Sequence, residues 1–145
     1  MMQKDNRTIA FVCTGNTCRS PMAEAIFNDM AEKNGVCVRA ESFGIATSTG
    51  LPVSENSVIA CKEIGIDLSG KTSTAVADAG IEKYEKFYCM SQSHAKMLMQ
   101  FFLVQPEKIA VLGISDPYGG EIDVYRHCRD EIVNSVKEIL KAYEN

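Results

Sequence analysis

Four apolar residues, Ile9-Ala10-Phe11-Val12, run directly into Cys13-Thr14-Gly15-Asn16-Thr17-Cys18-Arg19-Ser20, and Pro21 opens a helical pattern immediately behind. A strand that stops where a helix starts leaves little freedom: the chain here is strand, tight loop, helix. Such a loop turns several backbone N–H groups toward one point, which is the geometry of an anion site. The same alternation continues along the chain. Pro21 to Lys33 carries Met22, Ile26 and Met30 at helical spacing and stops at Asn34-Gly35. Val36 to Phe43 reads as a second strand, Gly44 to Val53 as a loop, and Ser54 as the cap of a helix ending at Gly65. A helix is expected from about Ala75 to Tyr84, although Gly80 lies inside it. Lys86 to Met90 is a short strand, Ser91 to Phe102 a helix and Lys108 to Leu112 the last strand. Glu121 to Tyr143 closes the chain as an amphipathic helix, with Ile122, Tyr125, Ile132, Val136, Ile139 and Tyr143 on one face. Strands alternating with helices predict an α/β fold, a parallel sheet flanked by helices. Ligands of such sheets sit beyond the carboxyl ends of the strands, where the first loop lies.

The loop's residue types suit one kind of chemistry. A thiol is a weak nucleophile until ionised, and a helix N-terminus or a neighbouring cation favours the ionised form. Cys13 is expected to have both, from the helix behind it and from Arg19. A guanidinium also grips two phosphate oxygens at once, which a lysine does not. Gly15 and Asn16 are residue types that tolerate positive φ, as a loop turning its amides inward requires. Ser20 either caps the helix or donates a hydrogen bond to the cysteine sulfur, and Pro21 suits the first helical position. Attack of the Cys13 thiolate on phosphorus would give a phosphocysteine that water then hydrolyses. The bland alternative is a buried cysteine at a strand end followed by an ordinary turn. The serine after the arginine, together with the strand before and the helix after, argues against it.

Length and composition narrow the class. The 145 residues fit one domain, residues 1–145, with enough chain to bury a core. No apolar run approaches the ~18 residues of a membrane span, so no membrane partner is expected. A net charge of −4 argues against a nucleic-acid partner. The N-terminal run Met1-Met2-Gln3-Lys4-Asp5-Asn6-Arg7 is polar and lacks the apolar stretch of a secretion signal. Cys13, Cys18, Cys37, Cys61, Cys89 and Cys128 are therefore read as reduced thiols, several inside apolar segments, in a cytoplasmic protein.

A second patch, Asp116-Pro117-Tyr118-Gly119-Gly120, lies between the last strand and the last helix. It leaves the sheet at the same carboxyl edge as the cysteine loop. A phosphate ester needs a proton delivered to its leaving atom, and a carboxylic acid held over the site supplies it. Asp116 is the candidate acid, and afterwards the base that activates water; Tyr118 is the candidate pocket wall. Alone, Asp-Pro is an ordinary turn. His94 and His127 lie on predicted helices without a matching ligand set, so solvated or capping roles are expected of both.

Val12-Cys13-Thr14-Gly15-Asn16-Thr17-Cys18-Arg19-Ser20-Pro21-Met22-Ala23-Glu24 resembles the signature of the low-molecular-weight protein-tyrosine phosphatase family, and Asp116-Pro117-Tyr118 resembles its general-acid motif. Glu41-Ser42-Phe43-Gly44, Gly65-Ile66-Asp67-Leu68-Ser69 and Cys89-Met90-Ser91 match in order, so the likeness spans essentially the whole chain. It implies a single-domain, three-layer, Rossmann-like fold with a four-stranded parallel sheet, no metal and no cofactor, and a phosphorylated protein as substrate. It also implies that Cys13 is the nucleophile, that Arg19 binds the phosphoryl group with Thr14, Gly15, Asn16, Thr17, Cys18 and Ser20, and that Asp116 is the acid. Asn16, Ser20 and Ser42 would form the network that shapes the loop, and Cys18 would form a reversible disulfide with Cys13. Thr17 stands where tyrosine-directed members usually carry a bulkier aliphatic residue. That threonine, with the stretch from Asp116 to Tyr125, is similar to the family's protein-arginine phosphatase branch, though Tyr118 stands where that branch often has phenylalanine. Lys71 occupies a stretch where many members have histidine, which leaves the pocket rim open. Three alternatives stand beside phosphoarginine hydrolysis: phosphotyrosine hydrolysis, a thioredoxin-coupled arsenate reductase and a non-catalytic phosphate-binding module. The reductase needs two further relay cysteines, and the segment from Cys89 to Gln100 supplies only one.

Overall fold

The computed structural model describes residues 7–144, so all but the last residue of the polar N-terminal run lies outside the described residues. Four parallel strands form the sheet: β1 (Thr8–Cys13), β2 (Arg39–Gly44), β3 (Lys86–Cys89) and β4 (Ile109–Val111), in the order β2-β1-β3-β4. From β1 the chain moves first to one side, to β2, and later to the other, to β3. The carboxyl end of β1, which is Cys13, therefore lies at the point where the winding reverses, and there the flanking loops splay apart to leave a crevice. Register holds this end square: Cys13 is opposite Gly44 on one side, and Val12 is opposite Cys89 on the other.

Alternation along β1 distributes its residues between two apolar layers. Ile9, Phe11 and Cys13 face the layer built by α1 (Arg19–Lys33), α2 (Glu55–Lys62) and α5 (Ile122–Lys141). Ala10 and Val12 face Phe43, Tyr84, Phe87 and Leu98, on the side of α3 (Val76–Ala79) and α4 (Gln92–Phe102). Met22, Ile26 and Phe27 of α1 are fully buried, each contributing about 1.5–3 kcal/mol on burial. They clamp the helix whose first turn is the exit of the cysteine loop, so buried residues anchor the loop at both ends. On the opposite face Phe43, Tyr84 and Phe87 form an aromatic trio with centroids 5.6–6.2 Å apart.

Several local expectations are corrected. The helix read over 75–84 is only α3, because Gly80 adopts a left-handed φ of 72° and a 3-10 turn, Ile81–Lys83, follows it. The second strand begins at Arg39 rather than Val36, since its pairing with β1 starts at Arg39 opposite Thr8. Lys108 belongs to the 3-10 turn Pro106–Lys108 that precedes β4. Helix α1 starts at Arg19, so Ser20 lies inside it and does not cap it. Pro21 is then the third helical residue, still among the first four whose N–H groups have no intrahelical acceptor. Ser54 does cap α2, accepting the N–H of Ser57 at 3.3 Å.

Candidate active site

The loop from Cys13 to Arg19 lines a cavity of about 260 Å³ together with Asp116 and Tyr118. Its shape is set by where its carbonyls go. The N–H of Ile45 donates to Cys13 O at 3.0 Å, that of Ala46 to Thr14 O at 3.0 Å, and that of Ser54 to Thr17 O at 2.9 Å. With these carbonyls bound from outside, the loop is left to present N–H groups inward. Asn16 makes the sharp bend with φ 55°, while Gly15 stays outside the positive-φ region, so only one of the two residues singled out for that role performs it. Gly44 at the end of β2 permits the close approach: a Cβ there would lie 2.7 Å from Thr14 O.

Cys13 is buried, and its sulfur is 2.8 Å from Ser20 Oγ and 3.2 Å from the N–H of Asn16. The direction of the surrounding hydrogen bonds follows from their fixed donors. The N–H of Thr74 donates to Asn16 Oδ1 at 2.8 Å, which fixes the amide so that Nδ2 donates to Ser20 Oγ at 2.7 Å and to Ser42 Oγ at 3.0 Å. Ser42 donates in turn to Glu24 Oε1 at 2.7 Å, and Lys71 Nζ holds the other Glu24 oxygen at 2.7 Å. When Cys13 is ionised its sulfur can only accept, so the Ser20 hydroxyl, which accepts from Asn16, donates its own hydrogen to it. Donation to the sulfur is thus the alternative realised for Ser20. Asn16, Ser20 and Ser42 come together as the resemblance implies; Glu24 and Lys71 complete a network that spacing alone did not reveal. Glu24 is the last residue of the quoted signature, which was the only signal for it.

Arg19 is 7% exposed at its side chain, and Nη1 donates to Ile114 O at 3.0 Å. Its Nη2 lies 3.7 Å from Asp116 Oδ2. Asp116 is 55% exposed and accepts the N–H of Tyr118 at its other oxygen, 3.0 Å away. A guanidinium and a carboxyl group that faces it are thus brought together from opposite ends of the chain. Tyr118, 80% exposed, stands at the rim. Thr17 is half-buried in the cavity lining, its hydroxyl 3.9 Å from Cys18 Sγ. Cys18 is buried behind the loop, with its sulfur 3.6 Å from both Ser54 Oγ and Tyr125 OH. Burial, and then the neighbouring Cys18, push the Tyr125 hydroxyl up to about 12.

His94 takes the capping role, one of the two expected of it. It caps α4, since Nδ1 accepts the N–H of Ser91 at 3.1 Å, but it is buried rather than solvated, and Nε2 lies 2.9 Å from Thr14 Oγ1. Burial first, and then the charge of Arg19, push it down to about 4, with Asp116 opposing. No local signal points to this contact, because its partners are 80 residues apart. His127 is exposed, 3.8 Å from Glu131. Burial pushes the Cys61, Cys89 and Cys128 thiols up to about 12 each, so Cys89 is poorly suited to relay a disulfide. Among the described residues, no group of three or more His, Cys, Asp or Glu side chains could hold a metal ion, and no helix is long and apolar enough to cross a membrane.

Residues 8–145 match the model of the low molecular weight phosphotyrosine protein phosphatase family. The chain belongs to this family. A protein-arginine-phosphatase of Bacillus subtilis is 33% identical over 142 residues, covering 92% of this chain and 94% of the relative. An arsenate reductase of Brevibacillus brevis is 32% identical, covering 97% of this chain and 99% of its own. Among solved structures, a YwlE arginine phosphatase variant with a phosphorylated active-site serine superposes with a TM-score of 0.88 at 32% identity, covering 93% of this chain and 94% of that one. The four-stranded parallel sheet with flanking helices is the fold of these phosphatases, and the chain is a phosphoprotein phosphatase of the low-molecular-weight type.

Proposed function

We propose that this phosphatase removes phosphate from protein phosphoarginine, with Cys13 as nucleophile, Arg19 as the phosphoryl-binding residue and Asp116 as acid and then base. The Cys13 thiolate attacks phosphorus while two phosphoryl oxygens are held by the Arg19 guanidinium and the loop amides. The P–N bond breaks, and Asp116 gives its proton to the departing guanidine nitrogen. Asp116, now a carboxylate, takes a proton from the water that attacks the phosphocysteine. The P–S bond then breaks, the electrons return to sulfur, and inorganic phosphate leaves. The Ser20 hydroxyl, aimed at that sulfur, stabilises the departing thiolate.

The observation that carries the substrate reading is a polar residue in the cavity lining that also holds the acid. Thr17 and Asp116 line one cavity, with the Asp116 carboxyl 3.7 Å from Arg19. A guanidine carries N–H groups beside its phosphorus, so it needs acceptors on the wall, and both side chains provide them. An aliphatic residue at the Thr17 position would offer only an apolar surface, which suits an aromatic ring. The similarity to protein-arginine-phosphatases supports the same reading. Cys18, in the same loop, is the thiol that would close a disulfide with Cys13 when a peroxide oxidises the pair, releasing water and sparing the nucleophile from over-oxidation.

The deciding experiment is a paired turnover assay on a phosphoarginine protein and a phosphotyrosine peptide. The unmutated protein should prefer phosphoarginine, and Thr17→Ile should reverse the order. Equal or faster phosphotyrosine turnover by the unmutated protein would overturn the substrate assignment.

A further inference from the structure

His94 is a buried titratable side chain that the mechanism above does not use, yet it ends against the phosphate loop. It is 4% exposed, and both ring nitrogens are engaged. A backbone N–H can only donate, so the Ser91 N–H fixes Nδ1 as the acceptor. The ring hydrogen of the neutral imidazole is therefore on Nε2, which faces Thr14 Oγ1 at 2.9 Å. Thr14 Oγ1 is then an acceptor toward His94. Among the described residues its own hydrogen has no protein acceptor, and Thr14 lines the cavity with Cys13, Arg19 and Asp116.

We propose that His94 is a positioning residue of the phosphate loop: its Nε2–H holds the Thr14 hydroxyl so that the hydroxyl hydrogen is presented to a phosphoryl oxygen in the cavity. The start of α4 thus adds a donor to the anion site that comes from a side chain rather than from the loop backbone. The charged groups around His94 are Arg19 from α1 and Asp116 from the loop after β4; Ser91 and Thr14 are its neutral partners. A neutral ring supplies the hydrogen bond without placing a second cation beside Arg19. The role needs His94 in the neutral form only, so it adds no titration to the working range.

The inference rests on the phosphatase reading, and the test separates the two. Turnover of p-nitrophenyl phosphate by the full chain is measured for the unmutated protein, His94→Asn, Thr14→Val and the double variant, from pH 5 to 8. Asparagine keeps a short acceptor near the Ser91 N–H but does not span to Thr14. Each single variant should lower kcat/KM roughly five-fold, as expected for one neutral hydrogen bond. The double variant should fall no further than either single one, and the shape of the pH profile should not change. Thr14→Ser, which keeps the hydroxyl, should retain activity, and His94→Gln, whose amide N–H can reach Thr14, should recover part of the loss.

Losses that multiply to roughly 25-fold in the double variant would overturn the proposal, as would full activity in His94→Asn or the disappearance of a pH limb in that variant. If His94→Asn does not fold, the Thr14 pair decides: equal activity of Thr14→Val and Thr14→Ser overturns the proposal, and loss in valine alone supports it. Imidazole ¹⁵N spectra of the unmutated protein supply a readout independent of turnover. They should show the Nε2–H form, and an Nδ1–H form would overturn the proposal. Absence of turnover in the unmutated protein would instead count against the phosphatase reading, with the spectra still testing the contact.

Discussion

The two walls of the cavity are held in opposite ways. On the nucleophile side the polar side chains form one connected series: Cys13 to Ser20, Ser20 to Asn16, Asn16 to Thr74 and Ser42, Ser42 to Glu24, and Glu24 to Lys71. On the acid side Asp116 is more than half exposed, braced by one backbone N–H and a 3.7 Å approach to Arg19. Tyr118 beside it has almost no cover. The contrast follows from what each wall has to do. In the proposed mechanism, a group that meets the same phosphoryl anion in every substrate gains from a fixed geometry, whereas a group that meets the variable part of a protein gains from freedom to adjust.

This contrast can be broken at four points, in order of decreasing effect. Cys13→Ser should remove turnover by about 10⁴-fold or more, measured as single-turnover phosphate release, because Cys18, also in the cavity lining, has its sulfur against Ser54 and Tyr125 rather than against Ser20 and the Asn16 N–H. Unchanged turnover in that variant would sink the mechanism. Asp116→Asn should lower kcat by about 10²–10⁴-fold while moving stability by no more than about 0.5 kcal/mol, since the side chain is exposed and loosely held. A large fall in denaturant midpoint would show that the acid wall is as structural as the other.

Asn16→Ala should do the reverse in proportion. It strands the Thr74 N–H and the hydroxyls of Ser20 and Ser42, costing about 1–3 kcal/mol of stability, readable in urea melts alongside a loss of activity. The smallest effect at neutral pH is the pH dependence carried by His94. Its folded value, about 4, lies below the ordinary imidazole value of 6.5, so between these the unfolded chain binds more protons than the folded one. Stability is therefore full above about pH 6.5 and falls as the pH drops toward 4. Replacing His94 by asparagine should flatten that part of the curve of unfolding free energy against pH; an unchanged slope would contradict it.

Much of the nucleophile wall was legible because it is local. Cys13, Asn16, Arg19 and Ser20 sit within one strand-loop-helix unit, where residue type and spacing carry the geometry. Asp116 was legible for a different reason: parallel strands deliver successive loops to one edge, so a carboxylate after the last strand had to emerge near a thiol after the first. What the spacing did not reveal is non-local. Lys71 reaches Glu24 and His94 reaches Thr14 only after the sheet is assembled, and the need for glycine at position 44 comes from a loop that closes over it. The helix expected over 75–84 failed because apolar periodicity says nothing about backbone handedness, and Gly80 takes the left-handed turn.

The hydrogen bonds that shape the cysteine loop come from Ser42, Ile45, Ala46, Ser54, Thr74 and, at its edge, His94. All of them lie later in the chain than the loop they hold. During synthesis the nucleophile therefore emerges long before the residues that shape its surroundings, and a nascent chain ending after α1 carries the cysteine without the anion cradle. In the proposed mechanism, reactivity toward phosphate therefore waits on residues 42–94, which are made after the thiol whose surroundings they shape.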